Sequence, residues 1–282
     1  MEKKFKLIIF GFLVLSLVPN FVMTSPAFAT TATGDDSIEP AALPSVVSNI
    51  PVNCVVDSGL DVVAMDTSKG GTWGDHQILG QDLIDNGFTV RTTSVESGDV
   101  PSCVVKLFIH NIGSGCFGSD YSATAVNRVV DFATNGGGVF INHENSGCDN
   151  YVNPISSALG VTDLNTIGSP NPNILLEGTN FLDGNPVNLW NGVDEWFLIG
   201  YTELASSVET VATFGAFPAG NSALEALDVG DGCVLVTTDS NWSTDAFIGN
   251  NDNRQFALNG FLHLNACIAD VAVGGSDVSI NT

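Results

Sequence analysis

The chain has 282 residues, and its 8 Lys and Arg stand against 31 Asp and Glu, which gives a formal net charge of −23. Nucleic acid and anionic lipid surfaces bind proteins through basic side chains that displace counterions, so this charge argues against both as partners. We interpret the acidity as a solvated surface that keeps the chain soluble. The length suits one α/β domain, or one domain with an insertion.

The N-terminus has the features of a secretory signal peptide. A charged start precedes a long apolar stretch, and Ala27-Phe28-Ala29 is a small-x-small cleavage pattern. An uncleaved membrane anchor is the alternative, but Pro19 and Asn20 interrupt the apolar stretch. We therefore predict a signal peptide over 1–29 and a flexible, Ala/Ser/Thr/Pro-rich lead-in over 30–53. The mature protein is expected to be secreted or periplasmic, without stable membrane insertion.

All six cysteines follow the predicted signal peptide, and an even number in an exported chain predicts disulfides. Six cysteines permit 15 pairings when only the sequence is known. The predicted order of the strands favours three of these pairs, namely Cys54 with Cys103, Cys116 with Cys148, and Cys233 with Cys267.

Helical and strand-like patterns alternate along the middle of the chain. The predicted strands cover residues 61–65, 88–92, 104–109, 139–141 and 233–237. Between the third and fourth strands, Val126, Val129 and Ala133 recur at helical spacing, and Gly136 to Gly138 end the helix. This alternation is typical of a flavodoxin-like, doubly wound, mostly parallel sheet in a three-layer α/β sandwich, which we predict over 54–271.

The alternation fades between residues 148 and 230. Asn- and Pro-rich turns, Trp190, Trp196 and a strand-like stretch at 210–214 indicate an insertion or lid packed on the carboxyl edge of the sheet. A last helix follows the fifth predicted strand, and the Gly-Gly-Ser tail over 272–282 is expected to be disordered.

Polar side chains stand at the carboxyl ends of four predicted strands. Ligands of open α/β sheets bind beyond this edge, so we expect the strand-end residues to line a pocket, with Trp73 or Trp196 as a stacking platform. The predicted pocket residues are Asp66, His110 (followed by Asn111), His143, Glu144, Asp239 and Asn241. The alternative is that these groups cap helices and satisfy loop amides.

We do not predict three further chemistries. Zinc would suit His110 and His143 with Asp239 or Asp66, but no local ligand spacing supports such a site, so we predict neither metal nor cofactor. Residues 113–118 spell G-x-G-x-x-G, yet Cys116 is an expected half-cystine and an exported protein rarely meets a dinucleotide. No nucleophile-elbow motif occurs.

Short segments resemble ThuA-like proteins of the class I glutamine amidotransferase-like superfamily. Residues 132–143 are similar to their "GGG, apolar strand, His" segment, and 193–197 to their Asp-Glu-aromatic segment. Residues 232–264 look like the closing strand and helix of related domains. The resemblance implies the flavodoxin-like sandwich and, in the ThuA branch, a role in carbohydrate metabolism. Amidotransferases of the superfamily carry Cys after the fourth strand and a downstream His-x-Glu, and this chain matches neither.

The leading hypothesis is therefore an exported, amidotransferase-like domain without the catalytic Cys that binds a small polar or sugar-like ligand. One alternative is an extracellular, metal-assisted glycan hydrolase with Glu144 or His143 as general base, in which Asp194 and Glu195 could pair with Glu144. A second alternative is a structural or adhesive surface domain with no ligand.

Overall fold

A seven-stranded, mostly parallel sheet forms the centre of the protein. The computed structural model describes residues 47–110, 119–144, 151–163, 174–175, 189, 193, 195–196, 198, 203–207, 212–214 and 223–273. For residues 174–175, 195, 212–214 and 265–273 this description covers the backbone alone. All of them belong to one unit of the chain, Pro44–Thr282. The predicted signal peptide lies outside the described residues.

The strands and helices follow one another in α/β order. The described strands are β1 (Val62–Asp66), β2 (Thr89–Thr93), β3 (Val104–His110), β4 (Gly138–Asn142), β5 (Val161–Asp163), β6 (Ile174–Leu175), β7 (Glu195–Trp196), β8 (Leu204–Ser206), β9 (Ala212–Phe214), β10 (Leu224–Val229) and β11 (Gly232–Thr237). The described α-helices are α1 (Gln77–Asp85), α2 (Ala123–Thr134), α3 (Asn153–Ala158) and α4 (Asn253–Val273). Single 3₁₀ turns precede α1, at Trp73–Asp75, and follow β11, at Asn241–Ser243.

The order of strands in the main sheet is β2-β1-β3-β4-β11-β10-β9. The first five are parallel to one another, and their order is that of flavodoxin-like folds, so the predicted fold class is confirmed. The two remaining strands, β10 and β9, are antiparallel additions. They lie in or at the end of the predicted insertion, 148–230, so that part of it extends the sheet instead of forming a lid.

Alternation along the strands divides the core between the two sides of the sheet, because successive strand residues point in opposite directions. Met65, Phe108 and Phe140 pack with side chains of α1 and α4 on one side, named here the α1/α4 face. Leu107 and Val139 pack with α2 and α3 on the other side, the α2/α3 face. The three-layer arrangement follows from these two cores.

The segment from α2 to β4 forms as its sequence predicts. The Ser122 hydroxyl accepts a hydrogen bond from the Ala125 amide at 3.2 Å and caps the start of α2. The helix ends before Gly136, whose φ of +99° is readily adopted by glycine. At Gly137, a Cβ would lie 2.4 Å from the Phe132 ring, so the chain can turn this closely only without a side chain.

A disulfide supports the side of the sheet where a helix is missing. The connection from β2 to β3 contains no helix, and Val62 and Ala64 of β1 are covered there by small apolar contacts that include Val52 and Val100. The predicted bond between Cys54 and Cys103 joins the two covering segments, with their Cα atoms 5.3 Å apart. This pair is confirmed.

The other predicted disulfides extend beyond the described side chains. Cys233 is disulfide-bonded, as expected. Its predicted partner, Cys267, and the pair formed by Cys116 and Cys148 lie outside the side chains that the structure describes, so these pairings stay predictions.

The domain begins earlier and ends later than predicted. The Val47 side chain is buried against α1, where a Cβ on Gly80 would approach it to 2.9 Å, and Pro51 forms a parallel bridge to Thr92 of β2. The predicted flexible lead-in is therefore wrong over 47–53. Helix α4 extends to Val273, two residues into the predicted tail. Among the described helices, none has both the length and the hydropathy needed to cross a membrane.

Candidate functional site

The predicted strand-end residues lie at the carboxyl edge of the sheet, but they are divided between its two faces. His110 follows Phe108 by two positions and lies on the α1/α4 face, where its ring is 5.8 Å from the Phe108 ring. Asp66 instead contacts Tyr121, which belongs to the α2/α3 core. His143 follows Ile141 of that same core by two positions. The single pocket expected from the sequence is therefore split.

Four buried polar side chains form one network on the α1/α4 face, named here the His76–His110 cluster. Its members are His76, His110, Asn142 and Ser243. The two imidazole rings meet edge to face with their centroids 4.2 Å apart. Asn142 donates to Ser243 Oγ at 2.8 Å and towards His110 Nδ1 at 3.5 Å, while its Oδ1 accepts from Thr237 Oγ1 at 2.8 Å. The sequence analysis missed His76, because it precedes α1 in a polar loop without any recognisable spacing.

The network fixes the tautomer of each ring. Because the Asn142 amide nitrogen donates towards Nδ1 of His110, that atom is an acceptor and the ring proton is on Nε2. The His76 Nδ1 lies 3.3 Å from the Thr72 carbonyl and therefore carries the proton, which leaves Nε2 facing Ser243 Oγ at 3.5 Å as an acceptor. Both rings are neutral in this arrangement.

Burial supports the neutral form of both rings. Desolvation lowers the pKa of His76 to about 4, although the Thr72 carbonyl and the carboxylates of Asp245 and Asp75 oppose the change. Desolvation also lowers the pKa of His110 well below its ordinary value, and the neighbouring His76 adds to this effect. The cluster therefore acts as a neutral connection between the start of α1 and the ends of β3 and β4.

The side chains of Glu144, Asp239 and Asn241 lie together. The Glu144 carboxylate accepts from Ser240 Oγ and, at 3.2 Å, from Asn241 Nδ2. Asp239 has a φ of +55°, in the left-handed region that Asp tolerates better than most residues, and its Oδ1 accepts from the Asn241 amide at 3.0 Å. These groups fix the turn after β11 by bonding to one another.

Asp66 belongs to a separate network at the boundary between β1 and β3. Its Oδ1 accepts from Ser68 Oγ at 2.7 Å and from the Val95 amide at 3.0 Å, and its Oδ2 accepts from the Tyr121 hydroxyl at 2.5 Å. Desolvation raises the pKa of Tyr121 well above its ordinary value, and the charge of Asp66 adds to the increase, so the phenol stays protonated. Asp66 thus joins three loops at the point where flavodoxin-like folds bind their ligands.

The two tryptophans proposed as stacking platforms are core residues. Trp73 is fully buried, and its Nε1 donates to the Arg91 carbonyl at 2.7 Å. Trp196 is also fully buried, with its ring centroid 4.5 Å from that of Phe256 and 5.6 Å from that of Trp242. Both predictions are wrong, because each apolar ring gains more from burial in the α1/α4 core than from exposure in a loop.

His143 differs from every other predicted site residue. Its side chain is fully buried, and its backbone amide continues the ladder of β4 by donating to the Thr237 carbonyl at 2.8 Å. Neither ring nitrogen has a hydrogen-bond partner in the described part of the chain. Desolvation lowers the pKa of His143 to about 4, against the opposing charge of Asp163 in β5. A neutral imidazole has one donor and one acceptor, and here both are unused.

The described residues do not assemble a metal site. Within them, no three His, Cys, Asp or Glu side chains lie together in a way that could hold an ion. The combination of His110, His143 and Asp239 or Asp66 is not formed, since its members lie on different faces. Asn111 and the glycine motif at 113–118, as well as Trp190 and Asp194, lie outside the described residues.

One comparison with a solved structure supports the fold. No family model matches the sequence, and no curated protein does. The structure is similar to the mmIFT52 N-terminal domain at 11% identity and a TM-score of 0.53, over 73% of this chain and 97% of that one. It also aligns with cytoplasmic protein STM1381 from Salmonella typhimurium LT2 at 17% identity, a TM-score of 0.49 and coverages of 73% and 99%. A beta-galactosidase from Bacillus circulans sp. alkalophilus aligns at 14% identity and a TM-score of 0.46, over 75% of this chain and 31% of the enzyme. The likeness to the mmIFT52 N-terminal domain concerns the fold alone, and the other two alignments, with TM-scores below 0.5, carry no argument.

Proposed function

We propose that this chain is an exported member of the class I glutamine amidotransferase-like superfamily that binds a small polar or sugar-like ligand without covalent chemistry. The binding residue is His143, at the carboxyl end of β4. One observation carries the proposal: this imidazole is fully buried, and both of its nitrogens lack a hydrogen-bond partner among the described residues.

A buried polar group without a hydrogen-bond partner lowers the stability of the folded protein. A donor or acceptor left without a partner costs about 1–3 kcal/mol, and most buried polar groups in native proteins are paired. The polar side chains at the neighbouring strand ends follow this rule, as the His76–His110 cluster illustrates. A ligand that forms hydrogen bonds with both nitrogens of His143 would recover that energy. The absence of partners among the described residues therefore favours ligand binding.

The chemistry of His143 favours a neutral, hydroxyl-bearing ligand. Its lowered pKa keeps the ring uncharged at neutral pH, and the nearby Asp163 carboxylate disfavours an anion. A hydroxyl group both donates and accepts, which complements a neutral imidazole. His143 also occupies the position after the fourth strand where the amidotransferases of the superfamily carry Cys, so no thiol nucleophile is available there.

Export is supported by two features. The N-terminal sequence has a signal-peptide pattern, and the bond between Cys54 and Cys103 is of the kind that persists in oxidising compartments. The hydrolase alternative requires a free general base. Glu144 suits that role less well, because Ser240 and Asn241 both donate to its carboxylate.

The test is a binding screen with a matched histidine control. Neutral mono- and oligosaccharides and small polyols are titrated into the full chain by calorimetry, and the same mixtures are analysed for cleavage products. The test variant is His143→Leu. The control is His263→Leu, which replaces another buried histidine with a pKa lowered to about 4, beside Leu264 near the amino end of β4.

We expect at least one ligand to bind saturably, with an affinity at least ten-fold weaker in His143→Leu and unchanged in His263→Leu. Binding that is insensitive to His143→Leu, or no binding across the panel, would contradict the proposal. Cleavage products that vanish in His143→Leu would instead establish the hydrolase.

A further inference from the structure

A second surface of the protein, at the amino edge of the sheet, has the features of a docking site. Apolar side chains are exposed there: Val55 at 90%, Val56 at 68% and Leu60 at 44%. They make up three of the five large hydrophobic residues that are exposed in the described part of the chain. Such a concentration in one loop is typical of an interaction site, since isolated exposed apolar residues need no explanation.

The loop that carries these side chains is held rigidly. Cys54 is bonded to Cys103, and the carboxylate of the fully buried Asp57 has two polar partners. Its carboxylate forms an ion pair with Arg91 at 2.6 Å and accepts from the Asn53 amide at 3.0 Å. The Arg91 guanidinium and the Asn53 amide hold the pKa of Asp57 below its ordinary value, so the pair persists in mild acid. A surface fixed in this way loses little conformational entropy when it binds a partner.

A cleft of about 530 Å³ adjoins the loop. Its lining includes Ser102 and Val104, the residues on either side of the disulfide-bonded Cys103, so the loop and the cleft share one covalent anchor. Apolar groups on the walls include Val100 and Phe132. The cleft lies where the connection from β2 to β3 lacks the crossover helix of a doubly wound sheet, so it can accept a helix from another molecule.

The charge of the cleft indicates which kind of helix fits. Arg128 is the basic residue of the described lining, and Asp99 already pairs with it at 2.9 Å. Asp131, also in the lining, is exposed and forms no ion pair with any described residue. The whole chain carries a net charge of −23, which repels a second copy of itself and attracts a basic partner.

We infer that the loop with Val55, Val56 and Leu60 and the adjoining cleft bind an amphipathic helix of a partner protein, one that combines an apolar face with Lys or Arg. This surface is on the opposite edge of the sheet from His143 and is independent of the ligand proposed there. The partner's apolar face would contact Val56 and the cleft, and its basic residues would pair with Asp131.

The experiment is an unbiased peptide selection on the full chain. A phage-displayed library of random 16-residue peptides is selected against the wild type alone. The enriched peptides are then titrated into wild type, Val56→Asp, Asp131→Lys and the control Ile84→Asp. Ile84 is exposed at 41% on α1, away from the cleft, so it tests the general effect of an added charge. Sedimentation equilibrium of the wild type and Val56→Asp measures self-association.

We expect peptides with apolar residues at helical spacing and several Lys or Arg, bound at least ten-fold more weakly by Val56→Asp and by Asp131→Lys and equally by Ile84→Asp. Because Val56 is mostly exposed, its variant should melt at the wild-type temperature; if it does not, Val55→Asp replaces it. The inference is overturned if no enriched peptide distinguishes Val56→Asp from wild type, if the enriched peptides are acidic, or if the wild type forms a dimer that Val56→Asp dissociates.

Discussion

At the carboxyl edge of the sheet, buried histidines occur in two environments that differ in whether the imidazole has polar partners. On the α1/α4 face, His76 and His110 are in ring contact, and the Thr72 carbonyl and Asn142 indicate their tautomers. On the α2/α3 face, His143 is equally buried, yet neither of its nitrogens is paired within the described residues. A paired buried imidazole contributes to the scaffold, whereas an unpaired one lowers stability and is best explained by something it binds.

The contrast depends on local geometry more than on residue type. His110 ends β3, His143 follows β4 and His76 immediately precedes α1, and desolvation lowers the pKa of each. What differs is the neighbouring polar group: Asn142 lies within hydrogen-bond range of His110, while the described residues around His143 include the charged Asp163 but no hydrogen-bond partner for the ring. Pairing, more than burial, therefore separates a structural histidine from a candidate binding residue.

Acid should have the largest effect on stability, because it acts on both environments together. The folded-state pKa of His76 and of His143 is about 4, below the unfolded value near 6.5, so the unfolded chain binds more protons between these pH values. Stability is complete above about pH 6.5 and is lost as the pH falls towards 4. We expect His76 and His143 each to contribute a loss of about 1.5 kcal/mol between pH 6.5 and pH 5, or about 3 kcal/mol together, and His110 adds to this loss in the same direction.

Urea unfolding at pH 7, 6 and 5 measures this loss. The variant His76→Gln keeps a donor and an acceptor but cannot be protonated, so it should lose about 1.5 kcal/mol less than the wild type over the same range. An unchanged pH slope in this variant would show that His76 does not titrate as its burial requires.

The next largest effect is expected from Asn142→Ala, which removes the centre of the His76–His110 cluster. The substitution deletes the bonds to Ser243 and Thr237 and leaves a cavity at a fully buried site. Lost hydrogen bonds and unsatisfied partners together should reduce the free energy of unfolding by about 3 kcal/mol. Urea unfolding at pH 7 checks the value. A loss below about 1 kcal/mol would mean that the cluster is not a structural unit.

A third prediction concerns Asp66, which the sequence placed in the ligand pocket and the structure places in a loop network. Tyr121→Phe removes the hydroxyl that donates to Asp66 Oδ2 at 2.5 Å and leaves a buried carboxylate oxygen with one donor fewer. Because bonds to charged groups contribute about 1.5–3 kcal/mol, we expect a loss of about 2 kcal/mol in thermal or urea unfolding. The affinity for the ligand should not change in Tyr121→Phe. A large change in affinity would show that Asp66 contributes to the binding site.

The sequence predicted the sheet better than the site, and the reason is the two-residue period of a strand. Strand ends can be located from apolar runs and turn residues, so Asp66, His110 and His143 were placed at the correct edge. The side of the sheet that each one faces depends on register, and a shift of one residue reverses it. Counting positions from the apolar residues of each strand would have separated His110 from His143.

Other features depend on contacts that are distant in sequence. Ser243 and Asn142 are 101 positions apart and His76 and Ser243 are 167 apart, so no local pattern could associate them. The glycine-rich stretch around Trp73 suggests an exposed loop, but the ring of Trp73 is buried in the core. The order imposed on 47–53 comes from pairing with β2, which likewise has no local signal.

The smallest change in stability, and the sharpest test of the comparison, is expected from His143→Leu. Leucine has a similar volume and no polar atoms, so the substitution removes two unfilled buried groups without leaving a cavity. Stability at pH 7 should therefore stay within about 1 kcal/mol of wild type or rise slightly, in contrast to Asn142→Ala. Loss of ligand affinity in a variant that is as stable as the wild type would separate a binding role from a structural one. If His143→Leu instead destabilised the protein by about 3 kcal/mol, the imidazole would have a structural partner. His143 would then be a structural histidine like His76 and His110.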